Sequence, residues 1–134
     1  MSRRPIVFWV DGRAYKVQVK KIKRHGVVTD GKNAGRLDIS YEMDREVIGT
    51  FYNYDMELKT EDLDFDEYDE LYETLTDPDK DFHTVKLPYA QGYLTFDAYT
   101  TQVDDELDLM TEDHNLWTNM VFQFVAKKPQ REAS

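Results

Sequence analysis

Three histidines and 27 Asp and Glu are the side chains of this 134-residue chain best suited to proton transfer or metal binding. His25, His83 and His114 lie in separate turn-like regions, with no partner at i, i+4 and no neighbouring cysteine, so their spacing matches no metal-ligand or nucleophile–base pattern. The chain contains no cysteine, which excludes disulfides and zinc–thiolate centres and suits a reducing cytoplasm. Two acidic runs, DLDFDEYDE at 62–70 and DDELDLMTED at 104–113, superficially resemble calcium loops. The first lacks the turn glycine and has helical periodicity, and the second lacks oxygen ligands at alternate positions. GKNAGR at 31–36 lacks the two-glycine spacing and the Lys-Ser/Thr ending of a phosphate loop. No serine sits in a nucleophile elbow, and carboxylates are too abundant for one acid/base pair to stand out. The expectation is a non-enzymatic protein with no cofactor, no metal and no catalytic residue.

The elements that would position these groups read as β-rich. From 35 to 59 the chain runs GRLDISYEMDREVIGTFYNYDMELK, with Leu37, Ile39, Tyr41 and Met43 alternating with polar residues and the register resuming at Tyr52, Tyr54, Met56 and Leu58. This pair predicts the centre of the sheet. Before it, Ile6 to Val10, the turn pair Asp11-Gly12, and Tyr15, Val17 and Val19 predict a hairpin, with a bulge or a bend at Lys20-Lys21 where the phase breaks. The glycine-punctuated residues 24–35 read as a long loop or an extended, mobile hairpin. Phe65, Tyr68, Leu71, Tyr72 and Leu75 form a helical stripe, predicting a helix over about 64–76 that opens on Asp64 and Glu67 and ends at Asp77-Pro78. Strands follow at Val85 to Tyr89 and Leu94 to Ala98, an acidic loop at 104–115, a last strand at 117–126 and a flexible tail at 127–134. The fold expected is mainly β, an antiparallel β-sandwich or partly closed barrel in a single domain over 1–126, with one flanking helix. The longest apolar run, Ile6 to Val10, is too short for a membrane span or a signal-peptide core.

Charge is segregated along the chain. Residues 1–36 carry a net +8, residues 37–126 a net −20, and the last eight residues +2. Opposite poles favour head-to-tail contacts between identical subunits, which close into rings or stack into tubes. The acidic remainder would repel phosphate, so direct nucleic-acid binding is not expected.

The run GRLDISYEMDREVIGTFYNYDMEL, the helix FDEYDELYETLTDP and the ending LWTNMVFQFVAKKPQR together resemble small structural proteins of phage and prophage tails, the tail-tube, distal-tail and baseplate group. The resemblance covers most of the chain and includes no catalytic signature. It implies a β-sandwich with a flanking helix, assembly with copies of itself into rings, commonly hexameric, contacts with other tail proteins, and a place in the virion tail after assembly in a bacterial cytoplasm. The chain departs from that group in being very acidic and rather short. The interface residues expected on this reading are Lys20, Lys21, Lys23 and Arg24, then Val27, Val28 and Asn33 in the 24–35 segment, and Asp66, Glu70 and Glu73 on the helix. Two other readings attach to other features: an acidic mimic of DNA that occupies a host nucleic-acid-binding protein, and a carbohydrate-binding module using Tyr93, Tyr99 or Trp117 as stacking platforms.

Overall fold

Asp11 and Gly12 both adopt positive φ, 53° and 82°, the geometry a two-residue hairpin turn needs to match the strand twist. In the computed structural model, which describes residues 8–15, 17–30, 35–36, 43–44, 47–59 and 65–133, this turn joins β1 (Trp9–Val10) to β2 (Arg13–Ala14). Then come β3 (Gln18–Asp30), β4 (Gly35–Arg36), β5 (Met43–Asp44), β6 (Val47–Lys59), α1 (Phe65–Leu75), β7 (His83–Tyr89), β8 (Gly92–Tyr99), β9 (Asp104–Met110), β10 (Asn115–Ala126) and β11 (Arg131–Glu132).

Nine of the strands form one antiparallel sheet, which is not closed into a barrel. β10 organises it. Val121 pairs with Glu57 of β6 on one edge and with Asp104 of β9 on the other, and further along Val125 and Ala126 pair with Tyr99 and Ala98 of β8. One half of the sheet therefore runs β3-β6-β10-β9, and the other continues from β10 through β8, β7, β1 and β2. The halves pack face to face, as in a sandwich: the Tyr54 ring stacks on Phe96 at 6.0 Å, and the Tyr54 hydroxyl donates to the Pro88 carbonyl at 2.9 Å. Alternation supplies the core, with Tyr52, Tyr54, Met56 and Leu58 of β6 and Met120, Phe122 and Phe124 of β10 all buried. The helix adds Tyr68, Leu71 and Leu75 from the expected stripe.

Several expectations are corrected. Residues 24–30 belong to β3 and pair with β6, which fits the extended hairpin of the two readings and not the loop; Val27, Val28 and Thr29 suit a strand, and the ring of Tyr52 directly opposite Gly26 lies 3.4 Å from where a Cβ would stand. The acidic segment 104–110 is a strand, β9, because its alternating carboxylates sit on a solvated face of an edge strand. The tail is tied down. Gln130 behaves like a strand residue turned sideways, its amide accepting from the Tyr52 N–H and donating to the Tyr52 carbonyl, both at 2.9 Å, while Ala133 N–H donates to Ile48. The partners of β6 are β3, β10 and β11, whereas Met43–Asp44 pairs with Gly35–Arg36. Of the alternation read before β6, residues 37–42 lie outside the described residues. So do Asp64 and Asn33.

Candidate assembly surface and acidic cleft

The residues expected to mediate assembly fall on two elements. Lys20, Lys21, Lys23, Arg24, Val27 and Val28 all lie on β3, which among the described residues pairs only with β6 and so leaves its outer edge open. Pairing sorts them by face. Lys21, Lys23, His25 and Val27 oppose Glu57, Asp55, Asn53 and Phe51 on the face turned away from the core, while Ile22, Arg24, Gly26 and Val28 oppose Met56, Tyr54, Tyr52 and Thr50 on the core side. The basic start of the chain is thus laid alongside acidic β6, and part of the charge split is compensated within the subunit. A row of polar groups crosses three strands here: His25 Nε2 lies 2.7 Å from Asp55 Oδ2, and Gln123 donates to Asp55 Oδ1 at 2.9 Å.

Arg24 turns inward. Its guanidinium lies over the Tyr89 ring at 5.1 Å, beside a chain in which Arg131 donates to the Tyr52 hydroxyl at 3.3 Å and Tyr89 donates to the same oxygen at 3.2 Å. These hydrogen bonds, from Tyr89 first and Arg131 next, hold the Tyr52 phenol below its ordinary range. At the far end of the β3–β6 ladder the core has run out, and Val27, Val28 and Ile48 stay 46%, 49% and 50% exposed. Val27 lies on one face of the ribbon and Val28 on the other, and Ile48 falls at the bulge where the register shifts.

On α1, Asp66, Glu70 and Glu73 are exposed. Glu70 is engaged by the chain's own Arg13 at 2.6 Å, which also reaches Glu67 at 3.4 Å and stacks on Tyr15, so the hairpin β1–β2 neutralises one side of the helix. The other side borders a cleft of about 570 Å³ between α1 and the β9–β10 hairpin, lined by Asp66, Asp69, Glu73, Asp105, Asp113 and His114, with Tyr72 and Trp117 in its wall. Burial, then the charges of Asp66, Asp105 and Glu73, hold the Asp69 carboxyl above its ordinary range. Burial also raises Asp105, against a lowering hydrogen bond from the Tyr68 hydroxyl. Among the described residues no three His, Asp or Glu converge closely enough to hold a metal ion.

The histidines remain apart, yet two of them have carboxylate partners that spacing does not disclose. His83 is buried, with Nδ1 2.8 Å from Asp11 Oδ2, and the other Asp11 oxygen accepts from the Thr84 N–H at 3.0 Å. Burial alone would raise the Asp11 carboxyl, but the bonds from His83 and Thr84, with the nearby Lys80, outweigh it and hold Asp11 below its usual range. Sequence reasoning also missed Leu107, Leu109 and Met110 as exposed apolar residues on β9. Their alternation with carboxylates was the available signal, masked by the acidity of the segment. Tyr93 and Tyr99 are exposed at the surface, edge-on to Trp9 and Phe82 respectively.

No protein-family model matches the chain, and no curated protein matches it.

Proposed function

We propose that this protein is a non-enzymatic structural subunit that works by assembling with copies of itself, in the manner of the ring-forming components of phage and prophage tails. The observation that carries this reading is the end of the β3–β6 ribbon, which bears the exposed apolar residues Val27 on one face and Val28 on the other, with exposed Ile48 at the bulge beside them, and among the described residues no core covers them. A strand apolar on both sides suits burial, and a second copy would supply the cover that no described residue gives. Such a subunit would act in the virion tail, with other tail proteins as further partners, after assembly in the bacterial cytoplasm.

Sedimentation or native mass measurement from micromolar to millimolar protein, at low and high salt, tests the reading. A defined oligomer is expected, and a monomer throughout overturns it. A second reading, an acidic mimic of DNA, is favoured by the carboxylates of α1 and β9 facing each other across one cleft. It requires a basic, nucleic-acid-binding host protein that binds this chain in competition with DNA.

A further inference from the structure

The half-sheet β3-β6-β10-β9 ends on two open edges of opposite character. β3 carries Lys20, Lys21, Lys23 and Arg24, whereas β9 carries Asp104, Asp105, Glu106 and Asp108 and no basic residue. Among the described residues neither edge has a second strand beside it, and Lys21, Lys23, Glu106 and Asp108 make no ion pair. Because the sheet is not closed into a barrel, the two edges of one subunit do not meet each other. An open edge of 13 residues is a template for strand addition unless its side chains forbid it. Lysines forbid β3 from pairing with β3, and carboxylates forbid β9 from pairing with β9. Neither forbids β3 with β9.

We propose that copies of this protein join edge to edge, β3 of one beside β9 of the next, continuing the sheet from subunit to subunit. The inference rests on the self-assembly reading above and names its interface. Strand direction agrees: β9, β10, β6 and β3 alternate, so a second copy in the same orientation presents its β9 antiparallel to β3. Faces agree as well. Asp104 pairs with Val121 on the side away from the core, which puts Glu106 on the side that Lys21 and Lys23 occupy and leaves Leu107 on the side of Ile22; at Asp108 the β9 register bulges, and beyond it Leu109 pairs with Leu116.

One register satisfies both faces: Ile22 opposite Leu107 and Lys23 opposite Glu106 of the next copy, with Lys21 beside the bulge at Asp108. Sliding by two residues towards the start of β9 sets Ile22 against Asp105 instead. The contact is heterologous, so it closes into a ring if the rotation between copies closes and grows a filament otherwise.

The chain has no cysteine of its own, so cross-linking is clean. Lys23→Cys and Glu106→Cys, both at exposed positions, are oxidised separately and mixed. The mixture is expected to form the disulfide dimer and each variant alone to stay unlinked; a chain carrying both cysteines should give a ladder. Lys21→Glu with Lys23→Glu should weaken association about tenfold, as a basic edge facing an acidic one becomes acidic, and Glu106→Lys with Asp108→Lys in the same chain should restore it. An oligomer without the mixed cross-link, cross-linking of either variant to itself, or protection of β3 from hydrogen exchange without protection of β9 overturns this pairing and leaves self-assembly standing. A monomer at every concentration overturns both.

Discussion

The carbonyl oxygen of Arg131 passes so close to Gly49 that a Cβ on that glycine would stand 2.5 Å from it, and 2.8 Å from the Pro129 ring. Gly49 is thus a docking notch for the C-terminal strand, and its φ is not the reason for it. Gly49→Ala should displace β11 and cost about 1–3 kcal/mol. Denaturant unfolding measures the loss, and hydrogen exchange should show it concentrated at residues 130–133.

Gln130 completes the same docking by satisfying both main-chain groups of Tyr52. Gln130→Leu keeps the bulk and removes the donor and the acceptor, leaving two partly buried backbone groups without partners. A loss of about 1–3 kcal/mol is expected, and because Tyr52 sits at the base of the β3–β6 ribbon, amide exchange at Gly26 and Tyr52 should quicken.

The Asp11–His83 pair makes stability depend on pH with a definite sign. The Asp11 carboxyl is held below its ordinary range, so its contribution is full above the unfolded value of about 3.9 and is lost as pH falls through the lower folded value. Asp11→Asn tolerates the positive φ and keeps one oxygen for the Thr84 N–H, while its amide nitrogen replaces the charged oxygen that faces His83. It should cost about 1 kcal/mol at pH 7 and much less at about pH 3, by thermal unfolding at both.

Asp69 and Asp105 act in the opposite direction. Their carboxyls are held above the ordinary range, so ionising them opposes folding, and the penalty appears as pH rises through the unfolded and then the folded value. Asp69→Asn should stabilise the protein at pH 7, by less than about 1 kcal/mol because Asp69 is largely exposed and screened. The gain should disappear below about pH 4, where the wild-type carboxyl is already protonated.

Local chemistry was readable wherever it needs no distant partner. The helix of 65–75 was read to within a residue at each end, the Asp11-Gly12 hairpin at its turn, and the bulge near Lys20 where the β3–β6 register shifts between Val19 and Lys21. Residues 24–30 could be read either as a loop or as an extended hairpin and the sequence did not decide between them, because Gly26 interrupts the pattern and the ring beside it comes from Tyr52, far along the chain. Of the interface candidates, Lys20 to Val28 proved to share one strand edge, Arg24 folds back onto Tyr89, and Glu70 is taken by Arg13.

By itself the sequence determined the periods: alternation for strands, one stripe for the helix, turn residues between them, and a basic start ahead of an acidic middle. These are properties of neighbours a few residues apart, where backbone geometry admits few choices. Tertiary structure decided who pairs with whom. It set basic β3 against acidic β6, joined His83 to Asp11, and left two oppositely charged edges open at the ends of one half-sheet. Strand partner and register are choices among segments distant in the chain, made by burial of whole faces at once, and no local pattern encodes them.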